Sequence, residues 1–397
     1  MSDRPTSLMR PVPWPDSASR PLGTPIQPSV VYASPDPDTL DAQYGGTAPG
    51  YTYAREGHPN ADVLAARIDA LEEVPETAGR GLITGSGMAA VTAALMGVLR
   101  AGDHVLGGDQ LYGRSLRLMN QDLARFGIAT GLADPTDAAA FEAAIRPETR
   151  MILIEVVSNP TLRVADLAAI AAMARARGIL LAVDNTFTTP RGIRAFEHGA
   201  DIVIHSVTKI LAGHSDATLG YVAARDPEVR RAIYDFAVTT GMTPSPFDCW
   251  LAERGLYSFE LRYDRAEANA AMLADHLAGL QGVRRVLYPT RPDHPDHNRA
   301  VALLGARGGH MLSFEIEGGR AAANALTGAA PRIAFAPTLG DIGTTLSHPA
   351  SSSHRGMGED ARLALGITEG FFRVSVGVED IDTLKAEFAK AIEAATA

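Results

Sequence analysis

The sequence predicts an α/β fold whose mainly parallel sheet is covered by helices on both faces. Strand-like and helix-like stretches alternate from residue 81 to residue 223, an order typical of parallel sheets. The strand-like stretches are short and almost wholly apolar, as expected where both faces of a strand are buried. Beyond Pro246 the pattern changes to a long helical stretch and then to a smaller α+β unit. In such folds, ligands bind at the carboxyl ends of the parallel strands.

The elements can be taken in chain order. Residues 1–50 are rich in Pro, Gly, Ser and Asp and predict an extended arm that contacts a neighbouring subunit. Residues 51–246 form the predicted large domain, and residues 247–397 the linking helix and C-terminal domain. Periodicity predicts helices at 61–71, 88–99, 113–126, 167–177 and from Phe247 to about 280, and strands at 81–84, 104–106, 151–156, 179–183, 201–205, 218–223, 311–316 and 372–376.

Composition restricts the partners and the location of the protein. The chain has 397 residues, of which 46% are hydrophobic, and a net charge of −10. That charge argues against nucleic acid or an anionic membrane as a partner. Residues 1–17 lack the apolar segment of a secretory signal, and no apolar run reaches the roughly 18 residues of a membrane span. Only Cys249 is present, so no disulfide forms within the chain. We expect a cytoplasmic protein.

Lys209 is the first candidate functional residue. It follows four apolar or β-branched residues of the stretch 200–208, which would hold its amine away from bulk water. A buried amine has a lowered pKa and can act as a nucleophile. A second strand ends in Asp184, which precedes Lys209 by 25 residues, about one strand–helix–strand step. We therefore expect Lys209 and Asp184 at the same edge of the sheet.

This pair matches the needs of pyridoxal 5'-phosphate. The cofactor requires a lysine that binds its aldehyde and an anion that keeps its ring nitrogen protonated. A lysine that follows a strand more often lies exposed at the strand end. The interpretation of Lys209 and Asp184 as a cofactor site therefore requires a phosphate-binding segment as well.

The segment 85–90 is the candidate phosphate site. Its glycines allow the backbone to approach an anion, and the helical pattern that follows would offer free N–H groups. The same residues fit the glycine pattern of dinucleotide-binding proteins. A nicotinamide or flavin enzyme therefore stays open as an alternative at this point.

A set of ordered motifs resembles the Cys/Met-metabolism family of pyridoxal phosphate enzymes. This group comprises cystathionine synthases and lyases, methionine γ-lyases and O-acylhomoserine sulfhydrylases. The resemblance implies fold type I of the pyridoxal phosphate-dependent transferases and covers residues of about 25 to 385. The motifs that carry it are Tyr53-Ala54-Arg55, Ser86-Gly87-Met88, Leu111-Tyr112-Gly113, Ser158-Asn159-Pro160-Thr161, Asp184-Asn185-Thr186, Ser206-Val207-Thr208-Lys209, Gly213-His214-Ser215-Asp216, His348-Pro349-Ala350-Ser351 and Arg373-Val374-Ser375.

The resemblance implies roles for individual residues. Lys209 would bind the cofactor and carry protons, Asp184 would pair with the ring nitrogen, and Tyr112 would stack on the ring and aid proton transfer. Asn159 would contact the ring hydroxyl and the substrate, and Arg373 would bind the substrate carboxylate. The residues expected to hold the phosphate are Ser86, Gly87, Met88, Ser206 and Thr208, and Tyr53 and Arg55 from the neighbouring subunit.

Each of these residues also has a purely structural interpretation. Tyr53 and Tyr112 are also compatible with core aromatic residues, Arg55 and Arg373 with surface ion pairs, and the two hydroxyls with turn caps. The ordered set favours function. Contacts to a neighbour's phosphate imply at least a dimer, and the family implies a homotetramer built as a dimer of dimers.

Some residues depart from the family pattern. Arg114 stands where a second glycine commonly follows Tyr-Gly, and Thr338 replaces a serine in the expected substrate site. Gly343 replaces a glutamate associated with cystathionine, whereas Asp341 is closer to methionine γ-lyases and sulfhydrylases. We expect elimination from a sulfur amino acid by C–S cleavage, with replacement at Cγ as the alternative and a dehydrogenase or a catalytically silent relative as other classes. No metal is expected.

Overall fold

The computed structural model describes residues 17–396 as two sheets with their helices. The helices are α1 (Pro37–Tyr44), α2 (Pro59–Glu72), α3 (Gly87–Val98), α4 (Gly113–Arg117), α5 (Ala138–Ala144), α6 (Leu167–Arg177), α7 (Thr189–Gly192), α8 (Pro227–Thr239), α9 (Pro246–Leu256), α10 (Phe259–Ala278), α11 (His297–Leu304), α12 (Gly319–Ala329), α13 (Glu359–Ala364) and α14 (Ile381–Thr396). None of the helices between residues 17 and 396 is both long and apolar enough to cross a membrane.

Seven strands form the first sheet, in the order β1-β7-β6-β5-β4-β2-β3. The pairs from β3 to β6 are parallel, and β7 pairs antiparallel with β6 and β1. The predicted mainly parallel sheet is therefore confirmed. Its strands are β1 (Leu82–Thr84), β2 (His104–Gly108), β3 (Ala129–Ala133), β4 (Thr149–Glu155), β5 (Leu180–Asp184), β6 (Ile202–Ser206) and β7 (Gly220–Ala224).

Hydrophobic cores lie on both faces of this sheet, as predicted. One core packs α2 and α6 against β4, β5 and β6, and the other packs α3 and α8 against the opposite face. The central strands β4 and β6 are buried except for exposed Arg150 and half-buried Ser206, which explains their nearly continuous apolar sequence.

Five strands form the second sheet, in the order β10-β11-β12-β9-β8. It is antiparallel except for the β10–β11 pair, and α10, α12 and α14 pack on it around a separate core. The predicted smaller α+β unit is confirmed, while a domain boundary at residue 246 stays a prediction. The strands are β8 (Val283–Leu287), β9 (Met311–Ile316), β10 (Ala334–Phe335), β11 (Thr345–Ser347) and β12 (Phe371–Ser375).

Two predicted helices are interrupted. The stretch 113–126 consists of α4, a π-helical turn at Leu118–Asp122 and a 3₁₀ turn at Leu123–Phe126. The prediction of one continuous α-helix was therefore wrong. The stretch from Phe247 divides into α9 and α10 at Tyr257 and Ser258. Gly255 lies against the carbonyl of Ala212, where a side chain would approach to 2.2 Å. This close approach lies in the last turn of α9, and α10 starts a new helix at Phe259.

Candidate active site

Lys209 lies in the turn that follows β6. Its N–H donates to the carbonyl of Ser206 over 3.1 Å, and its own carbonyl accepts from Gly213 over 2.8 Å. Burial, and then the charge of Arg373, lower the pKa of the Lys209 amine, as expected for a nucleophilic lysine. The chain has two other lysines, Lys385 and Lys390, and both lie on α14.

Asp184 ends β5, the neighbour of β6 in the sheet, and its α-carbon pairs with that of Ile204. One carboxylate oxygen accepts the N–H of Thr186 over 3.0 Å. Burial raises the pKa of Asp184, while its hydrogen bonds to Thr186 and the charge of His205 act in the opposite direction. Asp184 and Lys209 lie at the same edge of the sheet, as expected, and both line one cavity.

That cavity has a volume of about 1060 Å³. It lies at the carboxyl ends of the parallel strands and extends to the loops before β11 and after it. Among the predicted site residues, those that line it are Ser86, Gly87, Met88, Tyr112, Asn159, Asp184, Ser206, Thr208, Lys209, Thr338 and Arg373.

The start of α3 forms one wall of the cavity. The Ser86 hydroxyl caps the helix by accepting the N–H of Ala89 over 3.1 Å. The next residue is a glycine for a steric reason, because a side chain on Gly87 would lie 2.6 Å from Cβ of Ser206. The two segments can therefore touch, and they combine N–H groups of a helix start with a hydroxyl, an arrangement that suits a phosphate.

Unlike the groups at the start of α3, the hydroxyl of Thr208 is bound to the backbone of its own chain. Its hydroxyl donates to the carbonyl of Leu219 over 3.1 Å and accepts the N–H of Leu219 over 2.9 Å. These bonds correspond to the structural role that the sequence left open, although the residue lines the cavity.

Arg373 enters the cavity from β12 of the second sheet. Its guanidinium donates to Oδ1 of Asn159 over 2.6 Å and to the carbonyl of Thr338 over 2.8 Å. Arg373 is buried, so it is not the surface ion pair that the sequence also allowed. Burial lowers its pKa to about 10, and the side chain keeps its charge at neutral pH. Thr338 contributes its carbonyl oxygen here, rather than its hydroxyl.

Tyr112 stands at the start of α4 and is 40% exposed, so it is not a core aromatic residue. Its N–H donates to Oε1 of Glu155 over 2.7 Å. Glu155 is the last residue of β4, is buried and lines the cavity. The sequence analysis missed it, although a carboxylate at the end of an otherwise apolar strand was a visible signal.

Tyr53 and Arg55 do not line the cavity within the chain. The Arg55 guanidinium lies 5.6 Å from the centre of the Tyr53 ring and 3.4 Å from a carboxylate oxygen of Glu56. Tyr53 is 41% exposed. Their exposure leaves them free to contact another molecule, and their expected role in a neighbouring subunit stays a prediction.

Three arginines stand at the rim of the cavity: Arg114, Arg117 and Arg355. All three are exposed, and none has a carboxylate partner within 4 Å among residues 17–396. Gly113 lies so close to the segment of Arg355 that a side chain there would approach the Ser353 carbonyl to 2.5 Å. This contact brings α4 and that segment together at one rim.

The position of Gly343 lies outside the cavity lining. A side chain there would start 3.6 Å from a carboxylate oxygen of Asp341 and 3.7 Å from one of Glu379. A glutamate at this position would therefore start beside two carboxylates. Elsewhere, the part of the chain that is described contains no group of three metal-ligating side chains.

These residues fit pyridoxal phosphate by the chemistry of their donors. The cavity combines one amine with a lowered pKa, one carboxylate on the neighbouring strand, and a helix start with a hydroxyl beside it. A dinucleotide would not require a half-buried lysine of lowered pKa. The arrangement therefore favours the first hypothesis over the nicotinamide or flavin alternative.

Comparisons with known proteins agree with a pyridoxal phosphate site. A family model described as "Cys/Met metabolism PLP-dependent enzyme" matches residues 6–393. The chain is 38% identical to an O-succinylhomoserine sulfhydrylase of Pseudomonas aeruginosa over 89% of this chain and 86% of that protein. It is 37% identical to an L-methionine γ-lyase of Pseudomonas putida, over 94% and 93% of the two chains.

The fold of this chain is also similar to that of a solved enzyme structure. Cystathionine γ-synthase of Xanthomonas oryzae, in complex with cystathionine, superimposes with a TM-score of 0.88 and 35% identity, over 96% of this chain and 95% of that chain. The family model, the similar enzymes and the fold all agree. This chain belongs to the family of Cys/Met metabolism enzymes that depend on pyridoxal phosphate.

Proposed function

We propose that this enzyme cleaves a C–S bond of a sulfur amino acid by elimination, as cystathionine and methionine lyases do. The observation that carries the proposal is one cavity in which Lys209, Asp184 and Arg373 meet. A half-buried amine, a carboxylate and a guanidinium supply the groups that an amino-acid substrate and the cofactor require.

Pyridoxal phosphate, when bound, supplies a sink for the electron pair left when a substrate C–H bond is broken. Lys209 would bind the cofactor at rest and would carry protons at the substrate Cα and beyond. Asp184 would pair with the ring nitrogen, and the Tyr112 phenol would assist proton transfer. Arg373, with Asn159, orients the substrate carboxylate.

The proposed phosphate-binding residues are Ser86, Gly87, Met88, Ser206 and Thr208. Tyr53 and Arg55 would reach the phosphate of a neighbouring subunit, which supports the proposal of a homotetramer built as a dimer of dimers. The described part of the arm, residues 17–50, is largely exposed, in agreement with a role in subunit contacts. A cytoplasmic location also stays a proposal.

Replacement at Cγ of an O-acylated homoserine is the second candidate. The specific observation in its favour is the arginine rim of Arg114, Arg117 and Arg355, which suits the free carboxylate of a succinyl ester. A similar protein is an O-succinylhomoserine sulfhydrylase. The early steps are shared, and the two reactions differ in whether a thiol adds to the substrate carbon.

A product assay separates the two candidates. Purified protein with pyridoxal phosphate is offered L-cystathionine, L-methionine, O-acetylhomoserine or O-succinylhomoserine, each with and without a thiol. We expect 2-oxobutanoate or pyruvate from a sulfur amino acid without any thiol. A thioether formed only from an acylated homoserine and a thiol would overturn the lyase proposal and establish the replacement reaction.

A further inference from the structure

Two carboxyl groups meet at the carboxyl ends of β4 and β5. Glu155 and Asp184 are paired across these parallel strands, which run about 4.8 Å apart. Both side chains line the cavity, and Glu155 is buried. Two carboxylates so close together in poorly solvated surroundings do not both ionise near neutral pH. One of them therefore keeps a proton.

The contacts identify Asp184 as the charged member. Its carboxylate accepts the N–H of Thr186, and the hydrogen bonds to Thr186 and the charge of His205 act to lower its pKa. Burial raises the pKa of Asp184, but these contacts oppose that effect.

Glu155 is the more deeply buried of the two, since Asp184 is only half-buried. Its Oε1 accepts the N–H of Tyr112, while Oε2 is buried and has no hydrogen-bond partner among the described residues. Burial, and then the charge of Asp184, raise the pKa of Glu155 well above its ordinary value, whereas the backbone N–H groups of Tyr112 and Asn159 and then the charge of Arg373 act in the other direction. An unpartnered Oε2 is more consistent with a carboxylic acid than with a carboxylate, because a buried carboxylate requires hydrogen bonds on both oxygens.

We propose that Glu155 is a neutral positioning residue: it holds the backbone of Tyr112 through Oε1 and keeps its proton on Oε2, so that Asp184 is the single anion available to the cofactor ring. The Oε2–H is then a donor reserved for an oxygen atom of a bound ligand. This inference rests on the proposed pairing of Asp184 with the ring nitrogen. It assigns Glu155 to the same site as a second carboxyl group, protonated where Asp184 is ionised.

Infrared spectroscopy of the cofactor-free protein tests the protonation state directly. At neutral pH, the carbonyl band of a protonated carboxylic acid should be present in the wild type and absent in Glu155→Gln. A wild-type spectrum without such a band, or one that Glu155→Gln leaves unchanged, would overturn the proposal. This readout needs neither substrate nor turnover, so it stands even if the proposed reaction is wrong.

The cofactor-loaded enzyme offers a matched comparison. We expect the pH at which its visible absorbance changes to move by less than about 0.3 unit in Glu155→Gln, since one neutral group replaces another, and by more than about 1 unit downwards in Asp184→Asn, where a charge is lost. Equal shifts in the two variants would mean that Glu155 is charged and would refute the proposal.

A third variant tests the positioning of Tyr112. Glu155→Leu removes the acceptor for the Tyr112 N–H, whereas Glu155→Gln retains a carbonyl oxygen in its place. The proposal therefore expects cofactor affinity to fall at least about tenfold in Glu155→Leu and to stay within about threefold of the wild type in Glu155→Gln. Loss of affinity in Glu155→Gln alone would contradict it. If Glu155→Leu does not fold, the Gln comparison and the infrared band still decide the question.

Discussion

The guanidinium of Arg262 lies directly against Gly213, four residues beyond Lys209. A side chain on Gly213 would start 1.9 Å from Nη1 of Arg262. Arg262 comes from α10 and donates to the carbonyls of Ile210, Leu211 and Gly255 over 2.8, 3.1 and 3.0 Å. A buried cation thus holds three carbonyls around the turn that carries the lysine.

The first prediction concerns Gly213→Ala. The residue has φ of +75°, which costs an L residue about 1–2 kcal/mol, and the new methyl group would also displace Arg262. We expect the free energy of unfolding to fall by about 3 kcal/mol, since buried carbonyls lose their donor, and cofactor binding to weaken. Urea denaturation and a cofactor titration measure the two effects.

Gly178→Ala is the matched control for this change. Gly178 has φ of +64° and no neighbour within 4 Å of an added side chain. It therefore carries the backbone cost without the contact to Arg262. If both variants are destabilised equally, the contact between Gly213 and Arg262 does not hold the turn.

The second prediction concerns the stability of the cofactor-free protein with pH. Burial and Arg373 lower the pKa of Lys209 in the folded state, so the unfolded chain binds the proton more tightly. Below the lowered pKa, folding keeps an ammonium buried at a cost, and above the ordinary lysine pKa of about 10.4 both states are neutral. Lys209→Met should therefore stabilise the protein most at neutral pH, and this gain should vanish as the pH rises past that value.

Urea midpoints of the two proteins, measured from neutral to alkaline pH, give this difference. Lys390→Met, an exposed lysine on α14, serves as the control and should change the midpoint little at any pH. A stabilisation by Lys209→Met that does not depend on pH would show that the effect comes from packing rather than from the charge.

The third prediction concerns Arg55 and the proposed subunit contact. If Arg55 serves the neighbour's site, then Lys209→Ala and Arg55→Ala, each inactive alone, restore one intact site when they assemble together. Random mixing of the two should recover roughly a quarter of the wild-type activity, because half of the dimers are mixed and each has one intact site. Arg55 and Lys209 acting within one chain would give no recovery. Co-expression with two different tags measures the outcome.

Sequence patterns predicted those parts of the fold that depend on local order. The helix at 167–177 was placed at its true bounds, because Asp166 caps its start and Gly178 ends it. Strand β3, with mixed burial, and α5 and α8 were missed. The interruption at Tyr257 and Ser258 was missed; it adjoins the packing of Gly255 against Ala212, a contact between residues distant in sequence.

Some residues of the candidate site could also be predicted from local sequence, whereas others could not. Motifs identified Lys209, Asp184 and Arg373, because strand ends and glycines mark the sheet edge. Glu155 was missed, since its importance comes from Asp184 on the neighbouring strand and from Tyr112 on α4. The arginine rim needed the fold as well: Arg114 was noticed as a departure, but its meeting with the segment of Arg355 results from the approach of Gly113 to Ser353.

The last prediction concerns substrate charge at this rim. Replacing Arg114, Arg117 and Arg355 by Gln should raise KM for O-succinylhomoserine, about fivefold for each well-placed charge at ~1 kcal/mol, and change KM for L-methionine less than about twofold, since methionine has no distal charge. Added salt should weaken succinyl-ester binding in the wild type more than in the triple variant, because salt screens exposed charges. Arg332→Gln is the control, as Arg332 is exposed and does not line the cavity. If KM rises equally for both substrates, the three arginines do not distinguish substrates by their distal charge, and the second candidate function loses its support.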